Sequence, residues 1–164
     1  MKKYRYILGV QCFANMDSGA SIIKCSTNGD LLDYVAISEE RLTRKKHPYT
    51  FPLYSIDYCM RYFTIKDIKK IDLLVTDWIR LKRWEISGPS YNISEFDYLK
   101  SIFKFDKSKV RNISHHLAHA ASTYYTSKFK ESAILIVDGN GSDLETTSYF
   151  HGKTNNIKEN RENK

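Results

Sequence analysis

The sequence predicts an α/β fold, with a mixed sheet that opens in a three-stranded antiparallel meander and carries flanking helices. Three observations predict it. Three short apolar runs follow one another at the N-terminus, and Asn28-Gly29 joins the second to the third, a dipeptide suited to a tight hairpin turn. Two later stretches, from Leu53 to Phe63 and from His115 to about Ser127, change to helical spacing. Apolar strand patterns at Ile71 to Thr76 and Glu131 to Asp138 alternate with them.

Taken in order, Tyr6 to Cys12 reads as a largely buried first strand, Asn15 to Gly19 as a polar turn, and Ala20 to Cys25 as the second strand. Leu31 to Ser38 is the third. The charge-dense run Glu39 to His47 reads as a solvated loop, and Pro48 and Pro52 forbid a helix across its end. Leu53, Ile56, Cys59, Met60 and Phe63 mark one face of a helix. Residues 77–93, with Trp78, Trp84, Gly88 and Pro89, read as a long loop or insertion, followed by a short helix from Glu95 to Phe105 behind Ser94. Ser114 suits the N-cap of the histidine-bearing helix. A sixth strand is expected from Glu145 to His151. From Gly152 to Lys164 the only aliphatic residue is Ile157, so this stretch is expected to be a disordered polar tail behind one domain over residues 1–151. No internal repeat is evident.

The 164 residues suggest one domain. A domain of about 150 residues buries roughly 70% of its unfolded surface and folds without staples. No apolar run approaches the roughly 20 residues that span a bilayer, and the start, Met1-Lys2-Lys3-Tyr4-Arg5-Tyr6, lacks the apolar core of a signal peptide. Cys12, Cys25 and Cys59 are odd in number and lack zinc-type spacing, which fits a reducing cytoplasm. The net charge of +7 favours an anionic partner. The bases are spread along the chain with no nucleic-acid motif, so phosphorylated small molecules account for it better than nucleic acid.

The stretch Ser114-His115-His116-Leu117-Ala118-His119-Ala120-Ala121 holds three of the five histidines. On a helix, His115 and His119 share one face, one turn apart, and two imidazoles so placed can hold one divalent metal ion. Nineteen residues after His119, the strand Ile134 to Val137 delivers Asp138 and breaks into Gly139-Asn140-Gly141. Two histidines and this aspartate make a three-ligand site with room for substrate. His116 with His119 is an alternative pair. The cluster also fits hydrogen-bonded core or plain surface. Asn140-Gly141 also fits a plain type I′ hairpin turn, and a tip lined by amide N–H groups can hold phosphate as well.

Glu39-Glu40-Arg41-Leu42-Thr43-Arg44-Lys45-Lys46-His47, closing on Phe51-Pro52, resembles the EERFTRxKH…FP signature of the NodU/CmcH-type carbamoyltransferases. His115 to Ser122 is similar to that family's HHLAHAAS. Val137-Asp138-Gly139-Asn140-Gly141-Ser142 followed by Thr146-Thr147 resembles its VDGxGE…TT. Ile7-Leu8-Gly9-Val10, with Asp17-Ser18 before Ala20, is similar to its first strand and HDSSA turn. The resemblance runs from about Tyr6 to Tyr149 and implies the N-terminal part of such an enzyme, with an actin-like (ribonuclease-H-like) half-domain.

The resemblance implies an O-carbamoyltransferase that takes a carbamoyl group from carbamoyl phosphate, with ATP, through a carbamoyl-adenylate made in a C-terminal YrdC-like domain. The acceptor is a hydroxyl of a small molecule or sugar. The implied ligands of a divalent metal (Fe, Zn or Mn) are His115, His119 and Asp138. Phosphate is placed near Gly139, Asn140 and Gly141, with His116 as a phosphate contact or a partner behind the ligands. Arg41, Arg44 and Lys45 are expected to hold anionic groups of donor or acceptor. Asp17, Glu39 and Arg41 are the candidate catalytic residues, with Glu39 orienting the bases or the acceptor.

Two departures stand out. Met16 occupies the place of the family's histidine before Asp-Ser, and a thioether does no acid–base work. The chain is also far shorter than family members. It lacks the second half of the actin-like domain, where a further metal ligand is expected, and the YrdC-like domain. That points to a truncated or split gene product, inactive alone and completed by a second chain. A non-catalytic remnant that keeps metal or nucleotide binding, and a tRNA threonylcarbamoyladenosine-type relative, are the competing readings.

Overall fold

The computed structural model describes residues 3–11, 17–46, 51–76, 107–139, 141 and 145–160. The chain divides into two compact units, Met1–Asn112 and Ile113–Lys164.

In the first unit, β1 (Tyr4–Gln11), β2 (Gly19–Ser26) and β3 (Leu31–Ser38) form the expected antiparallel meander. The Ser26 hydroxyl accepts from the backbone N–H of Asn28 and of Asp30 and so closes the second hairpin. β4 (Leu73–Thr76) lies parallel to β1, with Leu8 opposite Leu74, and a short β5 (Val110–Asn112) extends the sheet. The order is β3-β2-β1-β4-β5. The mixed α/β class and the meander are therefore as the sequence predicts. Alternation along β1 buries Tyr6, Leu8 and Val10 on one face. They pack with Ile22 of β2 and with Ile56 and Cys59 of α2 (Leu53–Tyr62), the predicted helix. Each such aliphatic side chain contributes about 1.5–3 kcal/mol when fully buried.

The charged run corrects one expectation. Glu39–Thr43 is a short helix, α1, where a solvated loop was expected. Glu39 and Glu40 occupy its first turn, where acidic groups favour the helix dipole. Arg44 ends it in a left-handed conformation, φ 60°.

In the second unit, α3 (His115–Thr126) begins at Ser114, whose hydroxyl accepts from Leu117 N at 3.2 Å. This is the predicted cap. β6 (Glu131–Val137), β7 (Thr147–Lys153) and β8 (Asn156–Glu159) form a second antiparallel sheet. Ala120 and Tyr124 of α3 pack on Ile134, Ile136 and Phe150. The disordered tail expected from Gly152 is corrected. Gly152 and Lys153 end β7, and Asn156 to Glu159 add β8 to it, with Ile157 packed against the core. A strand needs only alternate apolar contacts once a neighbour satisfies its backbone, so the polar composition was misleading. Residues 161–164 lie outside the described residues, as do the expected loop at 77–93 and the helix at 95–105.

The two units share a pattern that the sequence did not make evident. Each is a strand–strand–strand meander, β1-β2-β3 and β6-β7-β8, and each first strand carries the same kind of run, Ile7-Leu8-Gly9-Val10 and Ile134-Leu135-Ile136-Val137. They differ at one edge. β1 is paired on both sides, by β2 and β4, whereas β6 is an edge strand among the described residues. Leu135 and its cross-strand neighbour Tyr149 are exposed there, with Val137.

Gly152 sits under the ring of Tyr124, and a Cβ there would lie 2.6 Å from it. Gly152→Ala is therefore expected to cost about 1–3 kcal/mol through overpacking. Chemical denaturation should show this as a lower midpoint, and an unchanged midpoint would contradict the packing.

Candidate metal centre

The i, i+4 spacing does on α3 what helix geometry requires: it puts His115 in the first turn and His119 one turn later on the same side. β6 ends at Val137, and Asp138 follows at once. The Asp138 backbone N–H donates to Thr146 O at 2.9 Å, which holds the residue where the strand opens into its loop. The two carboxylate oxygens then part. Oδ1 accepts from Gly139 N at 2.6 Å. Oδ2 lies 2.8 Å from His115 Nε2 and 3.4 Å from His119 Nε2. The two Nε2 atoms are 3.1 Å apart.

Three ligand-type atoms thus face one point. Side-chain exposure rises from 17% at His115 through 36% at Asp138 to 50% at His119, so one side of the cluster is open. The Gly139 N–H, first, and then the His115 side chain hold the Asp138 carboxyl below the usual carboxylate range, against a smaller opposing effect of burial. It is anionic at neutral pH.

The donor set fits a divalent cation. Ligand atoms about 2.1 Å from a shared cation lie about 3.0 Å from one another in octahedral and about 3.4 Å in tetrahedral geometry. The three separations span that range. Imidazole nitrogens and one carboxylate oxygen suit zinc, iron or manganese.

Of the other expected site residues, Asn140 lies outside the described residues, as does Met16. The Gly139 N–H is committed to Asp138, and the Gly141 N–H to Glu145 O at 2.6 Å, so neither faces a phosphate in this conformation. The Glu145 carboxylate lies over Gly141, in the space a side chain at residue 141 would take. The loop from Asp138 to Thr146 is wider than a two-residue type I′ turn, since β6 and β7 first pair at Val137 and Thr147. His116, expected either as a phosphate contact or as a partner behind the ligands, is 1% exposed and turned into the unit, with Nδ1 2.7 Å from Ser148 Oγ, which fits the second alternative. Burial removes it from any phosphate.

Glu39 is also corrected. Its carboxylate is buried and accepts from Tyr54 N, Ser55 N and Ser55 Oγ at 3.2, 2.8 and 2.6 Å. It caps α2, whose own N-cap position is Pro52 with no side-chain bond. This is a structural task. Asp17, Arg41, Arg44 and Lys45 are exposed in the first unit, with Arg41 3.8 Å from Glu40. Sequence reasoning passed over Glu145 and Ser148. Only the alternation of β7, which buries Ser148, distinguishes the latter from other serines.

These features define a mixed α/β chain whose second unit gathers a two-histidine, one-carboxylate cluster. The model of the family described as "Carbamoyltransferase N-terminus" matches residues 6–163, and the chain belongs to that family. It is 31% identical over 180 residues to the uncharacterised protein sll1178 of Synechocystis sp., covering 93% of this chain and 28% of that one. It is 32% identical over 140 residues to the nodulation protein NolNO of Sinorhizobium fredii, covering 77% and 20%. The uncharacterised protein MJ1051 of Methanocaldococcus jannaschii is 27% identical over 120 residues, covering 73% and 21%. The chain thus spans less than a third of the length of these relatives. Among the described residues, no helix is long and apolar enough to cross a membrane.

Proposed function

We propose that this chain is the N-terminal, metal-holding part of an O-carbamoyltransferase, which moves a carbamoyl group from carbamoyl phosphate, by way of carbamoyl-adenylate, to a hydroxyl of a small molecule or sugar. The observation that carries the reading is the convergence of His115, His119 and Asp138, in a chain of the carbamoyltransferase family, on atoms 2.8–3.4 Å apart. His115 Nε2, His119 Nε2 and Asp138 Oδ2 would hold the cation, which would supply Lewis-acid chemistry at the adenylate phosphate. The more exposed side of the cluster, at His119, leaves room for a phosphate. Asp17 is the carboxylate for the acceptor's proton, and the exposed Arg41, Arg44 and Lys45 suit anionic groups of donor or acceptor.

Further polypeptide, in the same chain or a second one, completes the enzyme. In support, β6 is an edge strand among the described residues, whereas β1, in the same position of its own meander, carries the parallel β4. The order β3-β2-β1-β4-β5 also suits the actin-like half-domain. The test is turnover of carbamoyl phosphate and ATP with a panel of sugar and small-molecule hydroxyl acceptors. This chain alone is expected to give no carbamoylated product. Addition of the C-terminal remainder of NolNO, as a surrogate for the further polypeptide, is expected to give some. Robust turnover by the chain alone would refute the need for completion. No product from this chain within a full-length chimera would refute the transferase reading.

A further inference from the structure

Behind the ligand cluster lies a second polar group to which the metal site gives no part. His116 and Ser148 are 1% and 6% exposed. His116 Nδ1 lies 2.7 Å from Ser148 Oγ and 3.8 Å from Glu145 Oε1. Its other nitrogen, Nε2, is buried with no hydrogen-bond partner among the described residues. An unpartnered buried nitrogen is costly, and an apolar side chain of similar volume would avoid the cost. Stability therefore does not explain the residue.

Direction does. Elsewhere α3 meets its sheet through apolar side chains, Ala120 and Tyr124 against Ile134, Ile136 and Phe150, and through two hydrogen bonds of its last turns, from the Tyr124 hydroxyl to Lys130 O and from the Tyr125 hydroxyl to Asn155 O. Apolar contacts are not directional, and those two bonds act at the far end of the helix from His115. The His116–Ser148 bond acts on the first turn of α3, the turn that bears His115. Ser148 is the cross-strand neighbour of Ile136, two residues before Asp138. One short hydrogen bond thus ties the histidine-bearing turn to the strand beside the aspartate. We propose that His116 and Ser148 are positioning residues, whose hydrogen bond fixes the direction of the ligand histidines and so sets the affinity for a divalent cation. This rests on the metal-site reading above.

The experiment is Zn²⁺ affinity by chelator competition, with the visible spectrum of the Co²⁺ form as a report of ligand geometry. Ser148→Ala is expected to weaken Zn²⁺ binding about 10- to 100-fold and to change the Co²⁺ spectrum, while the cation-free protein stays folded. His116→Asn keeps a polar atom where Nδ1 stood and removes Nε2, and it is expected to bind Zn²⁺ within about threefold of the parent. If Ser148→Ala does not fold, His116→Leu takes its place in the same measurement. Parent-like affinity in the variant that lacks the bond overturns the inference, and so does an equal loss in His116→Asn. Absence of Zn²⁺ binding by the parent chain overturns the metal site itself, a distinct result.

Discussion

Asp138→Asn is expected to lower Zn²⁺ affinity by about a hundredfold or more and to leave the fold intact. Changes behind a metal's ligands already cost about 10- to 100-fold, and this one removes the only anionic ligand of the cluster. The substitution keeps the shape of the side chain and an oxygen for the Gly139 N–H. It removes the negative charge that both Nε2 atoms approach. Because the Asp138 carboxyl lies below the ordinary range, the parent presents a carboxylate at neutral pH without first losing a proton. His119→Ala tests the same point from the helix side. Its imidazole is half exposed, so its removal opens no buried cavity. Metal content measured after dialysis, beside circular dichroism, decides. If either variant keeps Zn²⁺ as tightly as the parent, the three side chains do not share a cation.

Glu39→Ala is expected to destabilise the chain by about 3 kcal/mol. Loss of a helix cap costs about 1 kcal/mol, and the two donors of Ser55, N–H and hydroxyl, left unpaired where Ser55 is fully buried, add about 1 kcal/mol or more each. The Tyr54 N–H, on a more exposed residue, loses its acceptor too. Glu39→Gln keeps one acceptor oxygen and should fall between. Thermal melting should show a fall of about 10 °C for the alanine variant. A shift within 2 °C for Glu39→Ala would mean that the carboxylate is not the cap. Zn²⁺ affinity should not follow this loss while the chain is folded, because the ligands lie in the second unit, at Ile113–Lys164.

The convergence of His115, His119 and Asp138 was legible because it depends on two short-range regularities. A helix brings i and i+4 together, and a strand ending in Asp-Gly presents its carboxylate at a sheet edge. The Ser114 cap, the Asn28-Gly29 turn and the meander were legible for the same reason: each is set within a few residues. What failed was long-range. Glu39, a candidate catalytic residue on the family resemblance, gave no sign in the sequence of its cap on α2. Its three donors lie 15 and 16 residues away. For His116 the sequence left two roles open, a phosphate contact or a partner behind the ligands, and only the fold chose: the helix turns it about 100° from His115, toward Ser148. β8 was missed because its polar residues form a strand only when β7 offers a paired edge.

By itself, the sequence determined the N-terminal meander and the principal helices and strands after it, the face shared by His115 and His119, and the family. The tertiary structure alone decided which polar groups are enclosed and which are open. Enclosure depends on what a distant segment lays over a side chain, and hydrogen-bond partners buried from water are chosen only when the chain has closed around them.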